Sequence, residues 1–218
     1  MVFDYSWLIG GPQGSGVDTA ANIFSRVGAK LGYHVFGKRE YHSNIKGLHS
    51  YFVVRLSRDN KVRSNVNGAN IMVAFDAETM IRHGLEILKD GAIIYDSSIV
   101  NTSIDEIPTI EVDHRVRLDE FFKSKNMEPK VSSIIELAKE SGVNVYPISF
   151  RDILSSIADE LERPELSRMT RMFNVLGVSF SLGVLKAPIA PLLESIEEIF
   201  STKPAIVDLN KKAANFAY

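Results

Sequence analysis

Apolar and polar positions along this chain switch repeatedly between two periods. Short apolar runs, suited to strands buried on both faces, alternate with stretches whose apolar residues recur every three or four positions, as on one side of a helix. Ser6–Gly10 reads as a strand and Val17–Leu31 as a helix ending at Gly32, a residue that accepts the left-handed backbone of a helix terminus. Tyr33–Gly37 and Ser50–Ser57 read as strands, the second rich in aromatic and β-branched residues. The polar turn Arg58-Asp59-Asn60 then leads into Lys61–Asn65, which the pattern predicts to be the return strand of a hairpin. Ile71–Phe75 reads as a buried strand, Ala77–Lys89 as a helix, Ala92–Tyr95 as a buried strand and Ile107–Val112 as a weaker one. Two short helices, Arg117–Lys125 and Val131–Ser141, flank Pro129. Val143–Ile148 is a predicted strand and Phe150–Leu161 a helix that stops before Pro164. From Glu165 onward the pattern is helical, over Arg168–Lys186, Ile189–Phe200 and Ala205–Tyr218, with breaks near Pro188 and Pro204.

Strands separated by helices predict an α/β fold. The expected form is a three-layer, Rossmann-like sandwich with a mixed, mostly parallel sheet and a helical C-terminal segment, the mixed character coming from the hairpin near Asp59. Gly177 and Gly183 give Arg168–Lys186 small residues for close packing, and this segment is expected to cover one face of the sheet. Residues 1–203 are expected to form one domain, with 204–218 a terminal helix or a linker toward a partner domain.

Composition narrows the function. The chain has 218 residues, 45% hydrophobic, enough for one large core. Its formal net charge of -2 provides no basic field for nucleic acid. No apolar run approaches the roughly 20 residues of a membrane span, and Met1-Val2-Phe3-Asp4 lacks the basic start and long apolar run of a signal peptide. A soluble, cytoplasmic protein is expected. There are no cysteines, so this chain supplies no disulfide, no thiol nucleophile and no thiolate for an iron–sulfur cluster.

The densest chemical signal is Gly10-Gly11-Pro12-Gln13-Gly14-Ser15-Gly16, between the apolar run Trp7-Leu8-Ile9 and the first helix. A strand, a glycine turn and a helix N-terminus make an anion site from backbone N–H groups and the helix dipole. The spacing G-G-x-x-G-x-G fits neither the dinucleotide fingerprint G-x-G-x-x-G nor the Walker loop. Asp18 opposes a close phosphate, and Pro12 removes one donor. On these residues alone a tight structural turn and a ligand loop stand about level.

A second motif shifts the balance. Arg39-Glu40-Tyr41-His42-Ser43-Asn44-Ile45-Lys46-Gly47-Leu48-His49-Ser50 is a polar, mixed-charge loop between two predicted strands. Together with Gly11 to Phe24 it resembles the gamma domain of the archaeal-type 2-oxoacid:ferredoxin oxidoreductases. That pattern reads G-G-x-Q-G-[ST]-G-[IV]-D-T-[AS]-A-N-I-F and R-E-Y-[YH]-S-N-I-K-G-x-H-S-Y-F. Arg63-Ser64-Asn65, Val73 to Thr79, Tyr95-Asp96 and Arg171 to Gly177 also fit, so the resemblance covers nearly the whole chain. It implies a part of an enzyme that converts a 2-oxoacid, coenzyme A and oxidised ferredoxin into acyl-CoA, carbon dioxide and reduced ferredoxin. It further implies alpha and beta partner subunits that carry thiamine diphosphate, magnesium and the iron–sulfur cluster, with ferredoxin met through the complex. No cofactor, catalytic group or metal ligand is expected on this chain itself. Coenzyme A is expected at its surface, touched by Gly11, Gln13, Gly14, Ser15, Gly16, Arg39, Ser43, Asn44 and Lys46.

Other residues carry weaker signals. His42 and His49 flank Lys46, yet a metal site needs further convergent ligands. His34, His83 and His114 stand alone. Asp76 and Asp96 end apolar strands, where ligands bind and where helix N-caps also fall. Ser43 and Asn44 have no histidine–acid partner, which excludes a serine hydrolase. Glu40 lies near the position of a ribose-binding acid, so a free-standing Rossmann-like nucleotide-binding protein stands as an alternative. A purely structural assembly subunit is the other.

Overall fold

The computed structural model describes residues 4–41, 49–164 and 172–218. Its central strand, β1 (Asp4–Gly11), is buried through most of its length. Around it lie β2 (His34–Tyr41), β3 (Ser50–Ser57), β4 (Ala69–Ala74), β5 (Ile87–Asp96) and β6 (Asn144–Ile148). The six strands run in the order β2-β3-β1-β4-β5-β6. β4 pairs in parallel with β1 and β5, and β5 with β6; β3 is antiparallel to both β1 and β2. The sheet is thus mixed and mostly parallel, as the alternation of strands and helices predicts.

The period of two along the inner strands sorts their side chains into two cores. Trp7, Ile9, Ile71, Val73, Ala92 and Ile94 face a layer made by α1 (Val17–Lys30), α5 (Phe150–Glu160), α6 (Phe173–Leu185), α7 (Ala190–Ile199) and α8 (Pro204–Ala217). Leu8, Met72, Ala74, Ile93 and Tyr95 face α2 (Ala77–His83), α3 (Val112–Ser124) and α4 (Val131–Glu140). Helices on both faces of one sheet complete the three layers.

In the first layer α6 is buried on nearly every side. A Cβ on Gly177 would lie 3.0 Å from Val73 and 3.1 Å from Phe75, so glycine sets how closely this helix approaches the sheet. Its buried hydroxyls find partners, as burial requires. Ser179 donates to Ala214 O (2.6 Å) and Ser181 to Gly177 O (2.7 Å), while Ser181 Oγ accepts from Trp7 Nε1 (2.9 Å). The Trp7 ring also stacks on Phe24 of α1, with centroids 4.3 Å apart. α8 buries Val207, Leu209, Ala213, Ala214 and Ala217, packing as part of the layer.

Three sequence expectations are corrected. Lys61–Asn65 is not a strand: β3 is already paired along its whole length on both sides, which leaves no edge for a hairpin partner. The mixed character comes from β3 itself. The predicted helix Ala77–Lys89 ends at His83, turns through a 3-10 stretch at Gly84–Glu86 and passes into β5. α4 presses on this turn, since Ile134 fills the space that a Cβ on Gly84 would need. Ile107–Val112 is not a strand either. Ile104, Ile107 and Ile110 recur every third residue and plug the second core, and α3 begins at Val112. The start of Arg168–Lys186 lies outside the described residues; the remainder covers a sheet face as expected.

Ser181→Ala strips the buried Trp7 indole N–H of its acceptor. It is expected to destabilise the fold by about 1–3 kcal/mol, read by urea unfolding with the fluorescence of the chain's one tryptophan. Wild-type stability for this variant would contradict the role given to the bond.

Candidate functional site

β1 and β4 run parallel, but the chain leaves them on opposite faces, through α1 in one layer and α2 in the other. The crevice beyond their carboxyl ends is a topological switch point, where α/β sheets bind ligands. The glycine loop lies there. A Cβ on Gly10 would sit 2.5 Å from Thr79 Oγ1, and one on Gly11 would sit 2.9 Å from Ser15 Oγ and 3.0 Å from Phe75. Ser15 N donates to Pro12 O (3.1 Å), closing a turn that delivers the chain to α1. Gly14 and Gly16 adopt φ of 85° and 89°, the left-handed region that side chains disfavour. Gly16 is the N-cap residue of α1 and brings no side chain to cap it. The first-turn N–H groups of α1 have no partner within the helix.

A cavity of about 520 Å³ opens over this turn. The glycine loop and the first turn of α1 form one wall, with Arg39 of β2 and Ser50 of β3 beside them. The C-terminal helices form the other wall through Met172, Asn174, Phe200, Lys203, Ile206, Leu209 and Asn210. Arg39 Nη1 pairs with Asp18 Oδ2 at 2.9 Å, and Arg39 Nη2 donates to Ser50 Oγ at 3.4 Å. Among the described residues, two cations, Arg39 and Lys203, therefore share the lining with one anion, Asp18. The arrangement suits an anionic group held against the helix N-terminus, with apolar surface for the rest of its molecule.

Of the residues expected to meet a ligand, Gly11, Gln13, Gly14, Gly16 and Arg39 line this cavity. Ser15 does not: its buried hydroxyl lies against Gly11 and has no hydrogen-bond partner among the described residues. Ser43, Asn44 and Lys46 lie outside the described residues, as does His42. The sequence reading missed Ser50, Asn174 and Lys203. Asn174 stands in a segment that carried the resemblance, although nothing attached a role to it. Lys203 sits between two helices and has no local signal at all. Glu40, the candidate ribose acid, falls on the opposite face of the sheet from Arg39. It pairs with Lys38 and lines a separate cavity with Tyr51, Asn65 and Glu86.

The two strand-end aspartates are helix caps. Asp96 accepts from Ser98 N at 2.9 Å. Asp76 Oδ1 accepts from Thr79 N at 2.9 Å and from the Thr79 hydroxyl, pinning α2 against Gly10. Burial pushes the Asp76 carboxyl above the ordinary aspartate range, against those hydrogen bonds. Among the described residues no group of three or more histidine, aspartate or glutamate side chains is placed to hold a metal ion. No described helix is long and apolar enough to cross a membrane.

A family model described as pyruvate ferredoxin/flavodoxin oxidoreductase matches residues 6–218. The chain is 40% identical over 195 residues to 2-oxoacid:ferredoxin oxidoreductase 1, subunit alpha, of Sulfurisphaera tokodaii, covering 89% of this chain and 30% of that protein. It is 32% identical over 216 residues to 2-oxoacid:ferredoxin oxidoreductase 2, subunit alpha, of Aeropyrum pernix, covering 98% of this chain and 33% of that one. The chain thus spans only 30% to 33% of the length of these curated relatives. Two solved structures share the fold. One is the 2-oxoglutarate:ferredoxin oxidoreductase of Magnetococcus marinus with 2-oxoglutarate, coenzyme A and succinyl-CoA bound (TM-score 0.66, 19% identity, 98% of this chain and 31% of that one). The other is the gamma subunit of a keto/oxoacid ferredoxin oxidoreductase from Geobacter sulfurreducens (TM-score 0.62, 13% identity, 98% and 95%).

The Asp76 shift has a defined sign. A carboxyl raised in the folded state holds its proton longer than it does in the unfolded chain, so stability falls as pH rises above the ordinary value of 3.8. Asp76→Asn removes that slope and keeps an acceptor for Thr79 N. The stability of wild type relative to this variant is expected to decline as pH rises from about 3.5, in urea unfolding. A difference that stays constant with pH would contradict the burial of this charge.

Proposed function

The chain belongs to the pyruvate ferredoxin/flavodoxin oxidoreductase family, and from that premise we propose that it is the gamma component of a multi-subunit 2-oxoacid:ferredoxin oxidoreductase. In this reading it contributes to coenzyme A handling and to assembly, and the redox centre lies elsewhere. The whole enzyme would convert a 2-oxoacid, coenzyme A and oxidised ferredoxin into acyl-CoA, carbon dioxide and reduced ferredoxin. The chain corresponds to a part that the longer alpha subunits of its relatives carry within one polypeptide. A cysteine-free chain has no thiolate for an iron–sulfur cluster. The cluster is therefore assigned to a partner subunit, and the family resemblance assigns thiamine diphosphate and magnesium to the alpha and beta partners as well, with ferredoxin docking on the complex. The purified chain alone would reduce no ferredoxin.

The observation that carries the reading is the meeting of the glycine loop, Arg39 and Lys203 around one cavity. Coenzyme A is a polyanion attached to an adenosine. Its phosphates would face the first-turn N–H groups of α1, which stabilise negative charge without adding a counter-charge of their own. Arg39 and Lys203 would supply charge at two sides, Arg39 offering a planar fork suited to phosphate oxygens. Asp18 repels a phosphate, and its pairing with Arg39 offsets that repulsion. Met172, Phe200, Ile206 and Leu209 provide apolar surface for the non-phosphate part.

Gly14 offers the cleanest probe, because a Cβ there would meet no atom within 4 Å. Its replacement costs backbone strain of about 1–2 kcal/mol and otherwise intrudes only on the cavity. In the enzyme assembled with its partner subunits, Gly14→Ala and Lys203→Ala are each expected to raise KM for coenzyme A, up to about fivefold for the exposed lysine. The decarboxylation half-reaction needs no coenzyme A and should change little. If both variants assemble and keep the wild-type KM for coenzyme A, the loop is a structural turn and the reading fails.

A further inference from the structure

The cavity occupies one face of the sheet; on the other face a pair of histidines, far apart in sequence, meets in the interior. His49 leads into β3 and His83 closes α2, exposed by only 3% and 7%. Their Nε2 atoms are 3.0 Å apart and their ring centroids 5.2 Å apart. The rings therefore meet nearly end to end. Two imidazoles that share a metal ion point at a common third position, whereas these point at each other, and no third ligand stands by among the described residues. The contact is a hydrogen bond with one proton between the nitrogens. On its far side His83 Nδ1 faces Glu86 Oε2 at 2.9 Å. Tyr51 stacks on His49 and tilts against His83, with centroids 5.4 Å and 4.3 Å away.

This geometry limits how many protons the pair can hold. Two neutral rings carry two. A third fits: His83 can donate from Nδ1 to Glu86 and from Nε2 to His49 Nε2, the His49 ring then carrying its own proton on Nδ1. A fourth does not fit. It would point two N–H groups at each other between two buried cations, with like charge and steric overlap both opposed to contact. Glu86 on the 3-10 turn and Glu40 on β2 act at Tyr51, while Arg82 opposes them there. Arg82 is itself held by Glu78 and Glu111, and Glu40 by Lys38. Asp76, at the start of α2, also feels His83.

We propose that the His49–His83 pair is a proton-operated latch on the start of β3, closed while it holds up to three protons and opened by the fourth. His49 precedes Ser50, the first residue of β3, and Ser50 accepts from Arg39 at the rim of the cavity on the opposite face. Opening the latch frees the chain at that point. The latch is independent of the coenzyme A reading; only its effect on ligand binding would rest on it.

The test is an NMR titration of the full 218-residue chain, labelled with 15N, from pH 8 to pH 5. In wild type, one proton is expected to enter His49 and His83 jointly, so that both rings change along one curve. A second uptake at lower pH should coincide with shifts of the Ser50 and Tyr51 amides. In His83→Gln the glutamine oxygen accepts from His49 whether or not that ring is charged. There His49 should titrate as one independent site, and the acid shift of Ser50 should disappear. Two independent single-site curves for His49 and His83 in wild type would overturn the proposal. So would an unchanged Ser50 shift in a folded His83→Gln chain. If that variant does not fold, the wild-type curves alone decide.

Discussion

At the carboxyl end of β1 there is room for backbone and little else. Thr79 of α2 fills the space beside Gly10, Phe75 presses on Gly11 and Asn174 of α6 presses on Gly16. Two helices, one from each layer, and the end of β4 converge on this one strand end. The chain can turn from β1 into α1 only by omitting side chains, and two of its turn residues also need a left-handed backbone. At the glycines, what then faces the cavity is backbone, beside Gln13 and Asp18. The anion binding proposed for this loop would follow from the same crowding that makes the turn possible.

The rest of the fold holds that strand end in place. β1 is locked from one side by the Trp7 stack on Phe24 and the Trp7 bond to Ser181, and α6 lies close to the sheet because Gly177 permits it. α6 in turn places Asn174 against Gly16. α7 and α8 close the cavity with Phe200 and Lys203. Exposed pairs run from Arg26 and Lys30 on α1 to Glu194 and Glu198 on α7. Solvent screening makes such pairs weak, so α7 is held mainly by buried Leu192 and Ile196. The two cations of the cavity thus arrive from opposite ends of the sequence, Arg39 on an early strand and Lys203 between the last two helices.

The layered fold was legible because the inner strands are apolar on both faces and the helices between them are amphipathic. Local pattern failed where neighbours decided the outcome. Lys61–Asn65 has the composition of a hairpin strand, but β3 had no free edge to offer it. The run from Ala77 to Lys89 looks helical, yet α4 against Gly84 breaks it, and Ile87 to Lys89 join β5. At the site, the glycine loop and Arg39 were visible as motifs, since their role depends on backbone conformation and on a charge beside it. Lys203, Asn174 and the meeting of His49 with His83 were not visible. Each depends on long-range packing that leaves no periodic trace. Glu40 misled for the opposite reason: its distance along the chain suited a ribose, but alternation along β2 turns it to the other face of the sheet.

In the proposed function coenzyme A phosphates would sit on the α1 N-terminus, between the glycine loop and the α7–α8 junction. Hydrogen exchange of the complex purified with its partner subunits, with and without saturating coenzyme A, tests it directly. The account predicts added protection over Gly10–Thr19 and over Lys203–Asn210, with β5 and β6 unchanged. Coenzyme A that protects other chains and leaves both of these segments at their ligand-free rates would contradict it.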